Sequence, residues 1–123
     1  MRVINNKTYE LIYYHRANTK RARYSNYEII RLKDGARMLK TLTSSLGILC
    51  KIVKERRLYI FENVRIHFDK VRGLGSFIEF EIVCTSRKDE KEAPRKMKFL
   101  KKVFHVDEEK ILPYSYSDMI LTE

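Results

Sequence analysis

The chain has 123 residues, a net charge of +10 and a pI of about 9.7, which fits one domain, 1–123, able to bury a core without disulfides or metal. A charged fraction of 34% beside an apolar fraction of 44% excludes an unfolded chain, and no apolar run approaches the ~20 residues of a membrane span. The positive balance favours polyanionic partners: nucleotides, polyphosphate, nucleic acid or an anionic surface.

Arg2–Asn5 reads as a short strand, and Asn5-Asn6 as the turn into a second strand, Tyr9–Arg16. A basic loop, Ala17–Arg21, precedes a third strand, Tyr24–Leu32. Asp34-Gly35 marks a turn. Ala36, Met38, Leu39, Leu42 and Leu46 then recur at helical spacing, so Gly35–Leu46 reads as a helix stopped by Gly47. Ile48–Arg57 and Leu58–Asn63 read as strands or as one long bent strand.

Val64–Glu81 reads as a hairpin around Gly73-Leu74-Gly75. Arg65, His67 and Asp69 alternate with Ile66 and Phe68, and Glu79 and Glu81 alternate with Ile78, Phe80 and Ile82. Successive side chains of a strand point to opposite faces, so one face is ionisable and the other apolar. Two carboxylates two positions apart stand roughly 7 Å apart along a strand, and Asp69 faces them across the turn. Such a set suits a hard cation held against a phosphate; a half-buried hairpin with a wet charged face produces the same pattern.

Ser86–Ala93 reads as a charged loop, and Pro94 as the start of a helix with Met97, Leu100, Val103 and Phe104 on its apolar stripe. Tyr114–Leu121 reads as a last short helix after Pro113. Short connections make the sheet antiparallel and the class α+β. Cys50 and Cys84 lack metal or redox spacing and read as small hydrophobes in a reducing, cytoplasmic setting. Met-Arg-Val-Ile-Asn-Asn-Lys is not a signal peptide. Arg2, Arg16, Arg23, Lys54, Arg56 and Arg65 fall at strand-compatible positions. A dry interior does not tolerate so many charges, so a barrel built from these strands would enclose a wet tunnel or a polyanion site.

These residues resemble a known family. Arg2 followed by Glu10-Leu11-Ile12-Tyr13-Tyr14-His15-Arg16 is similar to its L-x-R and E-L-I-x-Y-x-R strands. Arg23, Ser25 and Tyr27 match its P-[KR]-x-S-x-Y stretch, with Ala22 in place of proline. Leu46-Gly47, then Ile52, Lys54, Arg56 and Tyr59, match L-G and V-x-K-x-R-x-x-Y. Val64–Glu81 follows T-R-I-H-x-D-x-V-x-G-L-G-x-F-x-E-x-E, departing chiefly at Val64, and Ser115–Ile120 matches S-Y-x-D-L-L. The chain thus resembles the CYTH domains, the triphosphate tunnel enzymes that include class IV adenylyl cyclases, thiamine triphosphatase and inorganic triphosphatases, with the cyclase-like branch closest.

The resemblance implies an antiparallel sheet curved into a tunnel barrel, helices outside. It implies that Arg2, Arg16, Arg23, Lys54, Arg56 and Arg65 bind phosphate, and that Asp69, Glu79 and Glu81 coordinate Mg²⁺ or Mn²⁺. His67 is the candidate general base, against a structural hydrogen bond. The family's opening Glu-x-Glu-x-Lys strand has no counterpart here, and Arg72 replaces a glutamate. The expected barrel is therefore partial and N-terminally truncated, with half of its carboxylates missing. The expected function is binding of a triphosphate-bearing or other phosphorylated nucleotide-type ligand, with turnover lost or reduced. The alternatives are an active Mg²⁺- or Mn²⁺-dependent triphosphatase or adenylyl cyclase-like enzyme, and an RNA-binding or protein-interaction domain. An edge bared by the lost strand invites a homodimer.

Overall fold

The structure, a computed structural model, describes residues 1–15 and 18–122. It is α+β, with two three-stranded antiparallel sheets and three α-helices among the described residues. Its contacts divide it into two compact units, Met1–Ala17 with Arg23–Leu49, and Asn18–Ala22 with Cys50–Glu123. The strands make two separate sheets of order β1-β2-β3 and β4-β5-β6, and among the described residues neither closes on itself.

In the first unit, β1 (Arg2–Ile4), β2 (Thr8–His15) and β3 (Asn26–Leu32) form a meander beside helix α1 (Gly35–Leu46). Asn5 and Asn6 take φ of 52° and 56°, and Lys7 N–H donates to Ile4 O at 3.0 Å. Positive φ at both central positions is what a tight hairpin turn requires, and asparagine tolerates it. Helix α1 keeps the bounds expected from its periodicity. Gly47, at φ 76°, ends it by donating to Thr43 O. Gly35 is buried where α1 begins: a Cβ there would lie 1.9 Å from Tyr9 Cβ. Helix and sheet meet at that point because residue 35 has no side chain.

In the second unit, β4 (Lys54–Phe61), β5 (Val64–Val71) and β6 (Gly75–Ile82) form a continuous meander. The expected pair of strands from Ile48 is one strand that starts at Lys54. Val64 and Ile66 pack with Leu100 of helix α2 (Arg87–Val103), and Ile78, Phe80 and Ile82 complete this core. Phe104 adds ring contacts to Phe80 and Phe68, with centroids 5.4 and 6.1 Å apart. Lys96 ties α2 to the β4–β5 turn, donating to Asn63 Oδ1 at 2.6 Å and pairing with Glu62 Oε2 at 2.7 Å.

Helix α2 corrects the expectation of a loop at Ser86–Ala93. It begins at Arg87, with Pro94 inside it. Ser86 Oγ accepts from Asp89 N–H at 3.2 Å, and Asp89 Oδ2 accepts from Thr85 N–H at 3.0 Å. This N-cap, with Asp89 and Glu90 in the first turn, starts the helix seven residues before the proline. Helix α3 (Tyr116–Leu121) follows a 3-10 turn at Glu108–Lys110 and starts in a capping box between Ser115 and Asp118. Cys50 and Cys84 are free thiols. Among the described residues, no helix is long and apolar enough to cross a membrane.

Candidate functional site

The register of β4–β6 decides which side chains share a face. Arg56 pairs with Asp69, Leu58 with His67 and Ile60 with Arg65. On the other side of β5, Asp69 pairs with Phe77, His67 with Glu79 and Arg65 with Glu81. Residues opposite one another in an antiparallel ladder point the same way, and every second residue follows. Lys54, Arg56, Arg65, His67, Asp69, Glu79 and Glu81 therefore occupy one face. Val64, Ile66, Ile78, Phe80 and Ile82 occupy the opposite face, under α2.

Asp69 is the centre of this face. It is 1% exposed, yet both of its oxygens are engaged. Arg56 donates from Nε to Oδ1 and from Nη2 to Oδ2, each at 2.7 Å. Tyr116, the first residue of α3, donates its hydroxyl to Oδ2 at 2.8 Å, and Lys54 Nζ stands 3.8 Å from the same oxygen. Burial alone would raise the Asp69 pKa. The hydrogen bonds from Arg56 and Tyr116, with the charges of Arg56 and Lys54, outweigh it and hold the carboxyl below its ordinary range. The hydrogen bond to Asp69 reciprocally raises Arg56, while burial and the same carboxylate raise the Tyr116 phenol. The corner is thus a fixed Arg⁺–carboxylate–phenol assembly. Phe77 lies against the Tyr116 ring at 5.1 Å, and Lys54 Nζ lies 5.3 Å from its centroid.

His67 is 5% exposed and lies between two glutamates, with Nδ1 3.8 Å from Glu79 Oε1 and Nε2 3.8 Å from Glu81 Oε2. These separations exceed hydrogen-bond length, and Nδ1 is a buried atom without a hydrogen-bond partner among the described residues. Burial, followed by the charge of Arg56, lowers the imidazole pKa; Glu79, Glu81 and Asp69 oppose this and do not prevail. His67 is therefore neutral at pH 7. Glu79 is the more open of the two carboxylates, with 45% of its side chain exposed against 30% for Glu81.

Among the described residues, no three His, Cys, Asp or Glu side chains converge closely enough to hold a metal ion. Asp69 is turned toward Arg56 and Tyr116, leaving Glu79 and Glu81 as the outward carboxylates of the face. Arg2 belongs to the first unit, where its Nε donates to Glu10 Oε2 at 2.8 Å across the β1–β2 pair. Arg23 is half-buried in the irregular segment before β3. Arg16 lies outside the described residues. Tyr116 falls within the Ser115–Ile120 stretch, whose Ser115/Asp118 capping pair signals in sequence that a helix begins there but not that the phenol meets Asp69.

Fold and face together define an α+β protein with cations and carboxylates interleaved on one antiparallel sheet. The chain belongs to the CYTH domain family, whose model matches residues 1–116. It is similar in structure to a conserved hypothetical protein from Pyrococcus furiosus, with a TM-score of 0.73 and 24% identity over 93% of this chain and 68% of that one. It is also similar to the PH1012 protein of Pyrococcus horikoshii OT3, with a TM-score of 0.77 and 16% identity over 94% of this chain and 69% of that one. The PH1819 protein of the same organism gives a TM-score of 0.68 and 26% identity, over 92% of this chain and 64% of that one. No curated protein matches the chain.

Proposed function

We propose that the charged face of β4–β6 binds a triphosphate-bearing or otherwise phosphorylated nucleotide-type ligand, as one wall of a partial tunnel of the family's type, with turnover lost or reduced. The observation that carries this reading is the placement of Lys54, Arg56 and Arg65 on one face, with Arg56 held by a buried carboxylate. A guanidinium already oriented loses little freedom when its remaining N–H groups meet phosphate oxygens. Arg2, Arg16 and Arg23 join the proposal on family membership. Glu79 and Glu81 would hold Mg²⁺ or Mn²⁺ together with ligand oxygens, since such ions are commonly bound by one or two carboxylates plus phosphate. When bound, the ion would polarise a phosphoryl group. Asp69 is almost fully buried and already committed to Arg56 and Tyr116, so a metal would compete for it with those bonds, which supports reduced turnover.

The second reading is an active metal-dependent triphosphatase or adenylyl cyclase-like enzyme. The outward placement of Glu79 and Glu81 beside the cations favours it, and neutral His67 would serve as its proton acceptor.

Calorimetry with tripolyphosphate and orthophosphate, with and without Mg²⁺, tests both. Tripolyphosphate should bind more tightly, salt should weaken it, and Arg65→Ala should cost more affinity than the exposed helix change Lys98→Ala. Equal losses from the two substitutions would count against a specific site. Hydrolysis that requires Mg²⁺ and vanishes in Glu79→Ala would establish the enzymatic reading instead.

A further inference from the structure

Strand β4 is paired on one side only. Its partner is β5, and among the described residues no strand pairs with its other edge. Every residue from Lys54 to Phe61 is exposed, although the strand ends in four consecutive apolar residues. Leu58 is 49% exposed, Tyr59 54%, Ile60 70% and Phe61 47%. Leu58 and Ile60 lie on the charged face, and Tyr59 and Phe61 on the face that carries α2. An open edge with apolar side chains on both faces is a template for another strand; the charges of β4, Lys54 to Arg57, fill its first half, and residues 58–61 carry no charge or proline.

The outward backbone groups are identifiable. Arg72 N–H donates to Val53 O at 2.9 Å, so Val53 turns its backbone toward β5. Antiparallel pairing alternates, which turns 55, 57, 59 and 61 inward and leaves Arg56, Leu58 and Ile60 offering N–H and C=O at the open edge. We propose that this edge pairs antiparallel with β4 of a second copy of the chain, making a continuous six-stranded sheet about a two-fold axis at Tyr59.

Charge and side-chain matching select the occupant and the register. A two-fold axis at Arg57 would set Arg57 directly against its own copy, and facing like charges are destabilising. An axis at Leu58 would set Arg56 against Ile60, and an axis at Ile60 would set Leu58 against Glu62, a charge against an apolar side chain. An axis at Tyr59 sets Leu58 against Ile60 of the second copy, Tyr59 against Tyr59, and Arg57 against Phe61, a cation over a ring. The apolar run is thus complementary to itself. The groove beside β4, of about 920 Å³ and lined by Tyr59, Ile66, Phe68 and Phe104 together with charged residues such as Arg57 and Asp69, would be extended by Tyr59 and Phe61 of the second copy. The charge of +10 on each copy opposes association, so salt should strengthen the dimer while it weakens phosphate binding. The dimer does not depend on the phosphate-binding proposal.

The test uses the full chain. Light scattering across a wide concentration range at elevated salt should give twice 14.8 kDa. Ile60→Pro removes an outward N–H without touching the β5 ladder, and should weaken dimerisation at least about tenfold with circular dichroism unchanged. Ile60→Lys, which keeps the backbone donor and adds charge, should act in the same direction. In a Cys50→Ser/Cys84→Ser background, Tyr59→Cys should form an intermolecular disulfide on mild oxidation, while Lys88→Cys on α2 should not. A mass of 14.8 kDa throughout would overturn the proposal. So would a dimer that survives both Ile60 substitutions, or one whose Tyr59→Cys variant does not cross-link.

Discussion

Tyr116 donates its hydroxyl to Asp69 Oδ2 at 2.8 Å, joining residues 47 positions apart. This bond fastens the short helix α3 to the middle strand of the charged face. A six-residue helix is too short to persist on its own, so the capping box and this docked side chain hold it. Docking also sets the tyrosine beside Lys54, one of the cations assigned to phosphate.

Tyr116→Phe keeps the ring against Phe77 and removes only the hydroxyl. Asp69 retains Arg56, so the expected loss is about 1 kcal/mol, the ordinary net value of one hydrogen bond. Chemical denaturation of the variant beside the native chain measures it. A loss equal to that of Tyr116→Ala would show that the bond, not the ring, fastens α3, and no loss in Tyr116→Phe would show the reverse.

The pair Arg56–Asp69 should behave asymmetrically. Arg56→Ala leaves a fully buried carboxylate with only Tyr116 and a distant Lys54, and should cost about 3 kcal/mol, as expected when one member of a buried pair is removed. Arg56→Met with Asp69→Leu, which removes both charges, should recover much of that loss. A double variant as unstable as Arg56→Ala alone would place the cost in packing rather than in the stranded charge. Because the folded Asp69 pKa lies below its unfolded value, its contribution is complete above about pH 4 and is lost as pH falls through the folded pKa.

Much of the second unit was legible in sequence because strict alternation fixes which side chains share a face. Arg65, His67, Asp69, Glu79 and Glu81 could be grouped before any strand was paired. Helix α1 was legible for the same kind of reason, with five apolar residues at one period and a glycine after them. The start of helix α2 is hidden in sequence because Pro94 is an attractive first helical residue, whereas the Ser86 cap and the acidic first turn upstream outweigh the hydrogen bond that the proline forfeits. The pairing of Tyr116 with Asp69 was not legible, since no local pattern encodes a contact across 47 residues. Nor does alternation say that Arg2 turns to Glu10 or Asp69 to Arg56: opposite charges on one face announce themselves, but the choice among several partners is made by register and burial.

Gly35→Ala should destabilise the first unit. The added methyl would fall 1.9 Å from Tyr9 Cβ and 2.2 Å from its Cγ, so α1 must move away from β2. Overpacking of this kind costs about 1–3 kcal/mol. Thermal melting checks it. Tyr9→Gly in the same chain, which removes the Cβ and ring that the methyl meets, should make the alanine at position 35 less costly, and an unchanged cost would mean that the clash is relieved by backbone movement elsewhere.

The last prediction concerns His67 in the metal-free protein. Its folded pKa lies below the unfolded value of about 6.5, chiefly through burial and secondarily through Arg56. Between the two values the unfolded chain binds a proton that the folded chain does not, so stability rises with pH there. Above about pH 6.5 the histidine is neutral in both states and costs nothing; as pH falls below 6.5 it progressively favours unfolding, until the folded form also takes up its proton. Denaturant midpoints should therefore fall as pH drops below about 6.5, and His67→Gln should flatten that slope. The measured quantity is the difference between native chain and variant at each pH. NMR of the His67 imidazole protons gives the independent reading: its titration should fall below the unfolded value of about 6.5. A His67 that titrates at or above the ordinary value would mean that Glu79 and Glu81, not burial and Arg56, set its charge.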